Sequence, residues 1–230
     1  MVADIVIAVA VAVAAWSGWR RGLLPPLLTQ GGVLAVIGLL VKRPDLVEQV
    51  LPPGPIGLVV AVAAVVLVFA VLAAITGELS VMVQNVAVLR TIDAPLGLVV
   101  SGILQLVIVY VVALALASFD GITAPLHRAT AIGPGQVAAL RTAVSANPGA
   151  RLVIDPAGLD SLAAASRLRS IPLDELDRYE PGLALYELKA RPQLATSVLL
   201  GPILGLGEAL PVFGRPQAPP LNEPRDEPPR

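Results

Sequence analysis

A few charges divide the first half of the chain into four long apolar stretches, a pattern that confines it to folds hiding whole helices from water. The stretches run from Ile5 to Trp19, from Gly22 to Val41, from Ile56 to Gly77 and from Leu96 to Ala117. At a helical rise of about 1.5 Å per residue, roughly 20 apolar residues cross a hydrocarbon core of about 30 Å. Each stretch therefore predicts a transmembrane helix, the first needing Val2 and Ala3 to reach that length. Trp16 and Trp19 suit the aromatic belt at a membrane surface. Composition points the same way: 56% of residues are hydrophobic and 14% are charged, against about 25% charged in an average soluble domain.

The flanking residues refine these helices. Asp4 stands where a secretory signal carries basic residues, and Arg20 and Arg21 follow the apolar run, so the first stretch reads as a retained helix. Pro52-Pro53-Gly54-Pro55 cannot propagate a helix and sets the start of the third stretch. In the second, Pro25-Pro26 with Gln30, Gly31 and Gly32 predict a helix that is broken or re-entrant. Leu79, Met82, Val83, Val86 and Leu89 recur at three- and four-residue spacing, as in an amphipathic interfacial helix or an extension of the third span. Asp4 and Asp93 fit the N-terminal ends of the first and fourth helices, where the helix dipole favours a negative charge. Gly18 and Gly22, and Gly97 and Ser101 one turn apart, predict close helix packing, with Arg20 and Arg21 at the membrane edge.

Charge density rises in the second half. Residues 1–117 hold 5 Lys/Arg and 5 Asp/Glu, whereas residues 118–230 hold 11 and 12, which predicts a water-facing part after Ala117. The expected organisation is an all-α membrane protein with a four-helix transmembrane domain over 1–117. A mostly helical extramembrane region follows over 118–210, then a Pro-rich disordered tail over 211–230. Within the middle part, Gln136–Ser145, Leu159–Leu168, Leu173–Tyr179 and Leu183–Arg191 read as helical, and Leu152–Ile154 as a short strand. Few aromatics predict loose packing or docking on the membrane domain. Residues 192–207 are uncharged but interrupted by Gly and Pro, which suits a docking helix rather than a fifth span. His127 and Arg128 are expected in the headgroup zone. Lys and Arg are balanced across the two sides of a four-span arrangement, so the positive-inside count leaves orientation open.

Several function classes drop out. The absence of Cys removes disulfides and thiolate sites, and a single His removes a multi-histidine metal centre. A net charge of −1 gives no attraction to nucleic acid. There is no P-loop, no dinucleotide-binding glycine pattern and no serine-nucleophile motif. His127, Asp120 or Asp155 and Ser145 supply the inventory of a triad without that motif. Asp174, Glu175 and Asp177 read as an acidic first helical turn. The chain is thus expected to be non-enzymatic and without a cofactor, with the lipid bilayer and membrane or envelope proteins as partners and a homo-oligomer as one possible arrangement.

Three motifs carry a resemblance. Asp4-Ile5-Val6-Ile7 opens the first helix, Gly18-Trp19-Arg20-Arg21-Gly22 closes it, and Ile92-Asp93 leads to Gly97 and Ser101 in the last. In order and spacing over residues 2–117 this resembles the colicin V production protein (CvpA) family of bacterial inner-membrane proteins. Ala94 and Pro95 stand where that family commonly has a basic residue, and Ser101 where a second glycine is frequent. Ser17–Gly22, Ser197–Pro202 and Phe213–Pro216 are also similar to actinobacterial relatives that carry a periplasmic trypsin-like protease. The resemblance implies a bacterial cell-membrane protein acting in toxin production or export, or in envelope maintenance, with both termini extracytoplasmic. Two other expectations are an anchor that recruits or regulates an extracytoplasmic enzyme, and a small transporter or channel with a water path along Gly97, Ser101 and Gln105.

Overall fold

The computed structural model describes residues 2–43, 55–84, 87–127 and 129–208, with the side chains at 41, 55, 56, 58, 77–84, 87–91, 148 and 208 outside that description. The tail expected over 211–230, Arg128, the proline-rich breaker before Pro55 and the apolar side chains from Leu79 to Leu89, with Glu78 and Arg90, lie outside the described residues or side chains.

The described chain is all-α apart from one pair of two-residue strands. Four apolar helices come first: α1 Val2–Arg21, α2 Leu24–Lys42, α3 Pro55–Gln84 and α4 Ala87–Thr123. Among the described residues three apolar windows are long enough to cross a membrane: Val2–Arg21, Val59–Thr76 and Ile92–Leu126. The apolar part of α2, Leu24–Leu40, is shorter. Contrary to the expected break, α2 is continuous. Its two prolines occupy the first turn, where a missing N–H leaves no bond unmade, and the Thr29 hydroxyl donates to the Pro25 carbonyl at 2.6 Å. Gly32 faces Leu72 of α3, where a Cβ would crowd the leucine methyl, so one of the mid-helix glycines serves helix approach rather than a kink.

The last apolar helix is longer than its apolar run. It begins at Ala87, before Asp93 and Pro95, and continues beyond Ala117 to Thr123. Asp93 therefore lies inside α4 rather than at its N-terminal end, which corrects the dipole reading of that residue. At the other end Phe119, Ile122 and Leu126 enter the core of the second half, beside Ile132, Leu140, Ile154, Leu162 and Leu183.

That second half is built from α5 Pro134–Ala146, α6 Pro156–Leu168 and a helical run of α7 Pro181–Leu185, a π-helical turn Tyr186–Ala190 and α8 Arg191–Ala195, with α9 Leu200–Gly205 last. Both longer helices start with proline at the first position. The Gly133 N–H donates to the Gln136 side chain at 2.7 Å, and the Asp155 carboxylate accepts the Ala157 N–H at 3.0 Å, so helix-start donors find side-chain acceptors. The strands are β1 Ala131–Ile132 and β2 Ile171–Pro172, antiparallel with Ile132 opposite Ile171. The strand expected at Leu152–Ile154 is instead the end of a 3-10 turn, Pro148–Leu152, followed by a fully buried Ile154. Nor is the packing loose: aliphatic side chains close a core around one aromatic pair, Phe119 and Tyr186, edge to face at 4.7 Å.

Candidate functional site

α1 and α4 run antiparallel and touch through small residues. A Cβ on Gly18 would meet the Gly97 carbonyl and Ser101, and a Cβ on Gly97 would meet Gly18 and Gly22 backbone. Only residues without side-chain bulk let two helix backbones approach so closely. Ser101 ties the joint together: its hydroxyl donates to the Ala14 carbonyl at 2.7 Å and lies 3.4 Å from Gln30 Oε1 of α2. Gly97 and Ser101 thus pack inside a helix joint, and Ser101 is 1% exposed.

Gly22 closes the turn between α1 and α2 at φ +83°, the left-handed region glycine reaches without strain. Its open side is filled by the Asp93 carboxylate, which accepts the Leu23 N–H at 2.9 Å. An acid inside α4 thereby satisfies a free donor at the start of α2. Five of the residues singled out from sequence, Gly18, Gly22, Asp93, Gly97 and Ser101, come together in this joint. Arg20 and Arg21 lie exposed on the last turn of α1, where the helix dipole favours cations. Asp4 lies at the far end of α1, in its first turn, and one oxygen accepts the Ser197 hydroxyl at 2.6 Å and the Leu199 N–H at 3.0 Å.

A second polar cluster sits where α4 enters the second half; sequence reasoning puts only His127 and Asp120 together, as triad inventory, and misses Tyr186, Glu187 and Arg191. Asp120 Oδ1 accepts Arg191 Nε at 3.0 Å and the Tyr186 hydroxyl at 3.2 Å. His127 Nε2 lies 3.3 Å from the same oxygen, 3.4 Å from Glu187 Oε1 and 3.0 Å from the Thr123 hydroxyl. The His127 side chain is 2% exposed, so it is folded inward rather than facing headgroups as expected. Burial, reinforced by the neighbouring Asp120 charge, pushes the Tyr186 phenol well above its ordinary range, which keeps it a donor. His127 and Asp120 do meet, but Ser145 donates to its own helix at Thr142 and Asp155 caps α6, so the four do not form a triad. Among the described residues no group of three His, Asp or Glu is arranged to hold a metal ion.

Glu180 is the third polar anchor. It is fully buried, its Oε1 accepts the Asp155 N–H at 2.9 Å and its Oε2 packs against Gly158, where a Cβ would displace it. Among the described residues Oε2 has no hydrogen-bond partner. Burial raises this carboxyl to about 7, against the pull of the Asp155 N–H.

The sequence signals for the cluster around Asp120 are faint. Asp120 and His127 stand two helical turns apart, and Glu187 and Arg191 one turn apart, spacings that put each pair on one helix face. Comparison with protein-family models, curated proteins and solved structures finds no match for this chain.

Proposed function

We propose that this chain is a non-enzymatic multi-pass bacterial membrane protein of the colicin V production type. In this reading it holds a compact helical domain at the extracytoplasmic face and acts through membrane or envelope protein partners, in export or production of a toxin-like product or in envelope maintenance. The observation that carries the reading is the α1–α4 joint: the motif residues Gly18, Gly22, Asp93, Gly97 and Ser101 are used on one another, as expected of a motif that builds a membrane scaffold.

In this reading α2 also crosses the bilayer, its 19 residues spanning about 28 Å at helical rise. Four crossings return the chain to the side on which it began. The Asp4 contact with Ser197 and Leu199 supports this, because it joins the start of α1 to the domain after α4.

A second reading, an anchor that presents a recruiting or regulating domain, is favoured by the Asp120–Arg191 contact, which fixes the domain to the end of the last span. Deleting residues 130–230 separates the two. In a host strain lacking the chain and scored for resistance to detergent and for toxin export, a scaffold acting within the membrane retains part of its effect after the deletion. An anchor loses all of it.

A further inference from the structure

The segment from Ser197 to Gly207 carries no charge and packs beside α1 and α4. Asp4 fixes its entrance, accepting the Ser197 hydroxyl and the Leu199 N–H, while the Ser197 oxygen accepts the Leu200 N–H at 3.3 Å. Donors that open α9 are thereby satisfied by side chains, the condition for backbone to leave water. Beyond that point Leu200, Ile203 and Leu204 bury against Tyr110, Ala113 and Ala117 of α4. On the other flank an apolar groove of about 480 Å³ follows α1 from Ile7 to Ala15, faced by Leu199, Pro202 and Leu206. From Ile7 to Ala15 is a descent of about 12 Å at helical rise, and it passes the middle of α1.

A segment that runs beside the apolar middle of α1 shares its surroundings. Its outer side is apolar too, with Val198 77% and Leu206 36% exposed, against 54% for Val9 and 62% for Val13 on α1. We propose that Ser197–Gly207 is a half-span, entering the bilayer beside Asp4 and facing the acyl chains of one leaflet through Leu206. The proposal rests on the membrane reading above and adds to it a contact with lipid made by the domain itself.

The chain has no cysteine, so single-cysteine variants report one position each. Full-length Leu206→Cys, Val13→Cys and Ser161→Cys variants are labelled with a membrane-impermeant maleimide applied to both faces of native membrane vesicles. Ser161 is exposed on α6 and serves as the water-facing reference. A thiol in lipid forms little thiolate, so Leu206→Cys and Val13→Cys are expected to react at least about tenfold more slowly than Ser161→Cys. A fast Leu206→Cys beside a slow Val13→Cys overturns the half-span alone. A fast Val13→Cys overturns the membrane reading and the half-span with it.

Discussion

The Asp93 carboxylate accepts the Leu23 N–H at 2.9 Å, so an acid inside one apolar helix caps the start of another seventy residues away in sequence. In an apolar setting an unmatched N–H is costly, and removing one partner of a buried hydrogen bond costs about 1–3 kcal/mol. Asp93→Leu is expected to lower the free energy of unfolding in detergent micelles by that order, while Asp93→Asn, which retains an acceptor, loses less. Equal stability of Asp93→Leu and the parent chain contradicts the cap.

Gly22 has two reasons to be glycine, its φ of +83° and the Asp93 carboxylate against its open side. The left-handed backbone alone costs a residue with a Cβ roughly 1–2 kcal/mol. Gly22→Ala is therefore expected to destabilise the bundle by more than that figure in the same unfolding experiment, and more than Gly31→Ala, whose Cβ meets nothing.

Ser101 separates packing from hydrogen bonding. Ser101→Ala removes the bond to the Ala14 carbonyl and the longer contact with Gln30, and should cost about 0.6–2 kcal/mol, the range for hydrogen bonds between membrane helices. Ser101→Leu must push α1 away, because Ser101 already lies against Gly18. Its larger loss should appear both as lower stability and as faster proteolysis of the α1–α2 turn.

Much of this bundle is legible from sequence because its determinants are local. Charge-free runs mark the helices, and glycines four apart mark a close-packed face. What that face packs against is not local: Gly18 and Gly97 are brought together only when α1 and α4 meet. Asp93 looks like a helix-start acid because it precedes the apolar run, yet α4 begins earlier and its carboxylate serves a different helix. Asp120, His127, Glu187 and Arg191 gave no motif, since Asp120 and Arg191 are joined across seventy-one residues. Two-residue strands such as β1 and β2 carry too little alternation to be read at all.

Glu180 makes the stability of the second-half core depend on pH. Its folded value of about 7 lies above its ordinary 4.5, so the folded state binds the proton more tightly and the contribution to stability is full below pH 4.5. It is lost as pH rises through 7. Thermal unfolding should show a more stable domain at pH 5 than at pH 8 from this group. Glu180→Gln should flatten that difference, gaining on the order of 2 kcal/mol at pH 8. An unchanged pH profile in Glu180→Gln contradicts the assignment.

Asp120 receives Arg191, Tyr186 and His127 at one oxygen. In Asp120→Ala, Arg191 is 31% exposed and keeps some water, but the Tyr186 hydroxyl is left without this acceptor, and an unmatched buried donor costs about 1–3 kcal/mol. Asp120→Ala should therefore destabilise by that order, and limited proteolysis should release the domain from the membrane part. Arg191→Met leaves the buried Asp120 carboxylate without its cation, so it should be destabilising as well.

The central claim is that four helices cross the membrane and hold the domain outside the cytoplasm. Alkaline phosphatase and a fluorescent reporter fused in turn after Gly133 and after Arg215 test it most directly. The account predicts active phosphatase and no fluorescence at both positions. Fluorescence with inactive phosphatase after Gly133 contradicts the extracytoplasmic domain, and opposite results at the two positions mean that the segment after Ser197 crosses completely.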